Sequence, residues 1–141
     1  KRLYSKSNQF KISANDDKFE GNAISLYFEI YRANGENLGI CSAITCTTSS
    51  GNVDVINWAI SCRYFKIGVE EYVLLRLKEI ASGGRALINY QESDHNLMVK
   101  EVLERYCDVF EKNGNQISAS IEFTEDTIKN LRNCTNLKDK S

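Results

Sequence analysis

The sequence predicts an α+β domain: a mixed sheet in which an antiparallel meander runs into a βαβ crossover, with two main helices. Three observations carry this. Two stretches of alternating apolar and polar residues flank Asn34-Gly35. A β-branched apolar run from Val53 to Ile60 follows the turn residues Ser49-Ser50-Gly51-Asn52. Apolar residues then recur at helical spacing until Gly83-Gly84 stops them.

Lys1 to Gly21 is polar, with Asn8-Gln9-Phe10 and the pair Asp16-Asp17, and has no clear period. Residues 1–22 therefore read as an N-terminal arm holding at most one short strand. Ile24, Leu26, Phe28 and Ile30 alternate with Ser25, Tyr27, Glu29 and Tyr31; Leu38, Ile40, Ser42, Ile44 and Cys46 set the next period. Two such runs around Asn-Gly predict a β-hairpin with a type I′ turn, which needs positive φ at both central residues. Val53–Ile60 continues the meander as a buried strand. Val69, Val73, Leu74, Leu77, Ile80 and Ala81 predict a helix over 69–82. Ala86 to Tyr90 is the next strand, parallel to 53–60 because a crossover helix separates them.

A second helix is expected from Ser93 or Asp94, a natural N-cap, to Lys112. Its stripe is Val99, Val102, Leu103, Tyr106, Val109 and Phe110, and Asn113-Gly114-Asn115 ends it. Ile117, Ala119, Ile121 and Phe123 give a last strand. Thr124 with Glu125 and Asp126 caps a short helix bearing Ile128 and Leu131. The domain thus spans 23–133, with five or six strands, and 134–141 is a flexible tail.

A chain of 141 residues is long enough for one real core. Net charge of −1 argues against nonspecific binding of nucleic acid or an anionic membrane. No apolar run approaches the roughly 20 residues of a membrane span, and no signal peptide is visible. The chain begins at Lys1 and reads as a piece of something longer. Its 5 cysteines include no Cys-x-x-Cys and no Cys/His cluster, so no metal site is expected. Reduced thiols packed in the core fit a cytoplasmic protein.

Candidate chemistry concentrates between the strand 53–60 and the helix after it. Ser61, Cys62, Arg63, Lys66, Gly68 and Val69 form a strand–loop–helix junction with two cations and a glycine, a plausible anion or phosphate cradle. Equally, Arg63 and Lys66 are loop cations able to pair with Asp54, Glu70 or Glu71. Cys62 stands beside Arg63, where a cation lowers a thiol pKa; packing is the competing role, since no histidine base is near in sequence. His95, the single histidine, is a candidate base or an exposed cap-region residue. Asn96 either caps the second helix or binds a ligand amide.

The strand order resembles the core of the GNAT acyltransferase fold. Ser61-Cys62-Arg63, Gly68-Val69-Glu70, Asn8-Gln9-Phe10 and Ser93-Asp94-His95-Asn96 are similar to motifs in the C-terminal half of FkbH-like proteins. That resemblance covers roughly residues 5–110. It implies an upstream HAD-like phosphatase-type domain and an acyl carrier protein as partners, in loading a glyceryl unit for polyketide-type biosynthesis. It also implies a phosphopantetheine thioester or acyl-CoA as ligand, with Ser61, Cys62, Arg63, Lys66, Gly68, Val69 and Asn96 at the site. Three features depart from the GNAT pattern. GNAT folds usually place two helices between their first two strands, and Asn8 to Gly21 leaves little room for them here. Of the diphosphate-binding pattern only Gly68 is present, and Glu70 sets an anion where a diphosphate would sit. Leu103 occupies the position of the family's proton-donating tyrosine. The resemblance therefore implies recognition of a carrier-borne pantetheine thioester, with a non-catalytic docking module and an acyl-CoA-dependent N-acyltransferase as alternatives.

Overall fold

The structure, a computed structural model of the chain, describes residues 10–18, 23–64, 67–81, 84–93, 97–135 and 138–139. Side chains are described for these except at 16–18, 62, 97, 138 and 139. Among the described residues the strands are β1 (Phe10–Lys18), β2 (Ala23–Arg32), β3 (Asn37–Ser49), β4 (Asn52–Ile60), β5 (Arg85–Gln91), β6 (Val109–Asn113), β7 (Gln116–Glu122) and β8 (Lys138–Asp139). The helices are α1 (Val69–Ile80), α2 (Leu97–Tyr106) and α3 (Glu125–Cys134), and Cys62–Tyr64 forms a 3₁₀ turn. One sheet holds every strand, in the order β6-β7-β5-β4-β3-β2-β1-β8. The β4–β5 and β1–β8 pairs are parallel and the rest antiparallel. The meander, the crossover and the mixed sheet are as the sequence predicts.

Alternation puts the core on one face. Ile12, Leu26, Phe28, Ile30, Ile44, Val53, Val55, Ala86, Ile88, Ile117 and Ile121 are buried at every second position of their strands and form one cluster with Val69, Val73, Leu74, Leu77, Val99, Val102, Leu103 and Leu131 of the helices. Tyr72 of α1 meets Phe28 edge-on, centroids 6.1 Å apart. Such a contact contributes about 0.5–1.5 kcal/mol beyond the area it buries. On the opposite face Ile40, Ala43, Ile56, Asn57, Ala59 and Asn89 are exposed, and no described helix lies over them. Only residues 19–22 separate β1 from β2, so the helices that a GNAT fold inserts there are absent.

Four local expectations change. The hairpin at Asn34-Gly35 forms, but its loop is 33–36, closed by Arg32 and Glu36 backbone bonds, and only Gly35 has positive φ there. The type I′ geometry sits one turn later, where Ser50 (φ 54) and Gly51 (φ 83) join β3 to β4. The second helix ends at Tyr106, not Lys112, and Val109–Asn113 pairs with β7. Val109 and Phe110 favour a strand, and Gly114-Asn115 supplies a two-residue turn between Asn113 and its partner Gln116. Finally, β1 falls inside the stretch read as an arm and pairs with β2 along all 9 of its residues, while β8 falls in the stretch read as a tail. The short helix after Thr124 forms as expected, with Thr124 Oγ1 accepting the Thr127 N–H at 3.2 Å.

Candidate functional site

β4 is paired on both sides only over its first half. Thr45 faces Asn57 and Cys46 faces Val55, so Ile56 has no partner on β3 and forms a bulge. A bulge bends its strand and sharpens the twist. On the other side, β4 meets β5 only through Val53, Asp54 and Val55 against Ala86, Leu87 and Ile88. Past the bulge β4 runs on to Ile60 and β5 to Gln91 without pairing, and the sheet is split by a gap. β5 stays with β7 over its whole length and β4 stays with β3 to Ile60, and the two part where the Ile56 bulge bends β4.

Backbone groups line this gap. The Ser61 N–H donates to the Cys41 carbonyl at 2.9 Å, and antiparallel pairs alternate between bonded and unbonded partners. That alternation aims Asn57, Ala59 and Ser61 at β3, and the N–H and C=O groups of Trp58 and Ile60 at the gap. Side chains fix the bent segment: Trp58 Nε1 donates to Ser42 Oγ at 3.0 Å, and Ser42 Oγ donates to the Ala59 carbonyl at 2.8 Å. α2 packs against β4, contributing the fully buried Val102 and Leu103.

Tyr90, one alternation past Ile88, was not among the residues the sequence singled out. Its hydroxyl is buried with no partner among the described residues. Burial pushes its pKa up to about 12, helped by the charges of Glu92 and Glu104. The signal was a polar tip at the end of the inward series Ala86, Ile88, Tyr90.

The junction 61–69 brings Ser61, Arg63, Gly68 and Val69 into one loop. Arg63 is exposed and has no ion pair among the described residues. Lys66, His95 and Asn96 lie outside the described residues, as does the side chain of Cys62. Gly68 caps α1 at φ +105, with no side-chain cap. A methyl group there would stand 3.1 Å from Thr135 Cα and 3.2 Å from the Cys134 carbonyl oxygen, so the end of α3 closes over the start of α1. Val69, Glu70 and Glu71 behind it are fully buried.

The first turn of α1 also carries its own anion. Glu71 Oε2 accepts from the Tyr106 hydroxyl at 2.5 Å and from Arg105 Nη1 at 3.4 Å, and Oε1 has no partner among the described residues. Burial raises the carboxyl pKa above its ordinary 4.5, opposed by the Tyr106 bond, the residue's own backbone N–H and Arg105. A carboxylate at a helix N-terminus interacts favourably with the dipole. Glu70 and Glu71 lie behind this terminus and the end of α3 lies over Gly68, crowding the place a diphosphate takes in the GNAT pattern, while the Trp58 and Ile60 backbone groups face no described strand. Tyr106 is bound to Glu71, and Leu103 is buried and has no proton to give.

This split sheet, with helices on one face and a bulged central strand, is the GNAT-like α+β fold. The chain superposes on an N-acetyltransferase, PaiA, of Thermoplasma acidophilum bound to coenzyme A, with a TM-score of 0.50 at 8% identity over 70% of this chain. It also superposes on a domain from Methanocaldococcus jannaschii with a TM-score of 0.52 at 13% identity, covering 74% of this chain and 69% of that one. The chain spans 61% of the Thermoplasma acetyltransferase. No protein-family model and no curated protein sequence matches it.

Proposed function

We propose that this chain is an acyl-thioester recognition domain that takes a pantetheine arm along the open edge of β4. The observation that carries the reading is the gap beyond the Ile56 bulge, where the backbone groups of Trp58 and Ile60 face no strand. A pantetheine arm contains two amides, and these can pair with such an edge as an added strand does. The GNAT-like fold supports an acyl-transfer-related role, and acyl transfer is what the superposed Thermoplasma protein is named for.

The closed start of α1 narrows the ligand. Coenzyme A carries a diphosphate and would bring it to Glu70, Glu71 and the end of α3, whereas an arm borne by a carrier protein ends in one phosphate held outside. The ligand is therefore a phosphopantetheine thioester on an acyl carrier protein, in a cytoplasmic FkbH-like glyceryl or acyl transferase whose upstream HAD-like domain does the phosphate chemistry. A docking module beside that domain is the second reading, favoured by the uncovered sheet face.

Calorimetric titration with acetyl-phosphopantetheine tests the first reading. Ile60→Pro removes an N–H aimed at the gap and leaves the β3 ladder its bonds. It is expected to weaken binding about tenfold, the loss of one backbone hydrogen bond, with Ile60→Val as the packing control. Equal affinity in both variants rejects the edge as the binding element.

A further inference from the structure

The two sides of the β4 edge differ. Toward the helices its side chains are Trp58 and Ile60, buried with Val102 and Leu103, so that side is filled. The other side is apolar and open. Ala59 stands between Trp58 and Ile60 and faces Ala43 across the ladder, and both are exposed. Tyr27, half-buried on β2, continues the row opposite Ala43.

Among the described residues three large apolar side chains are exposed, and two of them bound this row: Ile40 at 58% and Ile56 at 54%. Ile40 precedes Ala43 on β3 and Ile56 precedes Ala59 on β4, so in an antiparallel pair they close opposite ends of the row. Single exposed apolar residues are ordinary, whereas a contiguous group marks a contact surface. Two alanines opposite each other, with Cβ atoms about 4.5–5.5 Å apart, make a low floor between the taller Tyr27, Ile40 and Ile56. The charges on this face are turned aside from it. Glu29, beside Ile40, accepts from Asn15, Asn37 and Tyr31, and Asp54 lies on the paired side of the bulge.

We propose that the acyl group on the thioester is an aliphatic chain, laid across Ala59 and Ala43 between Ile40 and Ile56, with Tyr27 at its far end. This rests on the β4 edge as the place of the pantetheine arm. An arm running either way along that edge brings its thioester to one end of the floor, beside Ile40 or beside Ile56. From β4 to Tyr27 is two strand spacings, about 9–10 Å, which suits a chain of medium length. A glyceryl unit would set its hydroxyls on alanine and isoleucine, where desolvation without a partner is unfavourable. The floor therefore selects an aliphatic acyl group over a hydroxylated one.

Calorimetric titration of the full chain with acetyl-, octanoyl- and glyceroyl-phosphopantetheine decides it. Octanoyl is expected to bind at least about tenfold more tightly than acetyl, and glyceroyl no better than acetyl. Ala43→Glu sets a carboxylate on the floor and is expected to bring the octanoyl-to-acetyl ratio close to one. Ile40→Ser, at an exposed position, is expected to cut that ratio about threefold. Thermal unfolding shows whether each variant is folded, and Ile40→Ser decides the matter if Ala43→Glu is not. Octanoyl binding no tighter than acetyl, glyceroyl binding as tightly as octanoyl, or a ratio unmoved in the folded variants overturns the proposal, while a loss of acetyl affinity in Ile60→Pro leaves the edge itself standing. Octanoyl affinity equal in the wild type and Ile60→Pro removes the edge, and this inference with it.

Discussion

Glu71 is a carboxylate with no exposed surface whose folded pKa is raised by burial. The folded chain therefore keeps this proton to a higher pH than the unfolded chain, which loses it near 4.5. The stability this group contributes is fully present below the unfolded value and falls as pH rises through the folded one. Glu71→Gln cannot ionise and still offers Tyr106 an acceptor. Urea midpoints measured at pH 4.5 and pH 8 should thus show the variant gaining on the wild type as pH rises. Asp108 and Glu92, held low by Arg85 and Lys112, slope the other way but cancel in the comparison. Tyr106→Phe should cost about 1–3 kcal/mol, because it strips a buried carboxylate of its hydroxyl donor; an unchanged urea midpoint counts against the buried pair. The burial of one neighbour was legible: Glu70 stands three, four and seven residues before Val73, Leu74 and Leu77, on the apolar stripe. That of Glu71 was not. It depends on Tyr106 and Arg105 arriving from another helix, and no spacing within α1 encodes that.

The elements show where periodicity suffices and where it competes with itself. β2, α1 and β7 were legible because each has one unbroken period, and β3 and β4 were legible as strands although bulges shift the phase of each and turn Ile40 and Ile56 outward. Residues 97–113 carry two. Val99, Val102, Leu103 and Tyr106 hold helical spacing, and Val109 and Phe110 extend it by chance, although they belong to a hairpin around Gly114-Asn115. The Asn-Gly signal read as a turn at Asn34 was the same signal read as a helix stop at Asn113. The bulge at Ile56 had no sequence mark, since a β-branched residue in a β-branched run looks like any other; only its 54% exposure in the fold sets it apart. At the junction, Gly68 has a stated requirement: φ +105 and a methyl group 3.1 Å from Thr135 Cα. Gly68→Ala should cost about 1–3 kcal/mol from backbone strain, with further loss if α3 is pushed off α1. A thermal melt unchanged by this substitution contradicts the packing of α3 on the start of α1.

Across the whole molecule, one asymmetry governs the rest. The described helices pack on one face of the sheet, no described helix covers the other, and the two helices that a GNAT fold inserts between its first strands have no place in residues 19–22. That feature was legible in the shortness of the segment before residue 23. The split between β4 and β5 follows from fold geometry, and the closure of the α1 terminus follows from α3, which packs along α1 and brings Cys134 and Thr135 onto Gly68. Together they leave the β4 edge beyond Ile56 unpaired and set the end of α3 against the start of α1, the two features on which the proposed choice of a pantetheine arm over a diphosphate rests.

The central claim is that ligand recognition runs along the unpaired edge of β4. Backbone amide NMR shifts, followed while acetyl-phosphopantetheine and then acetyl-CoA are added, test it most directly. The account predicts that Trp58 and Ile60 amides move first and furthest with phosphopantetheine, that Val53 and Val55 stay still, and that coenzyme A binds no better. Shifts centred on Val69–Glu71 with tighter binding of coenzyme A, or no movement at Trp58 and Ile60, contradict it.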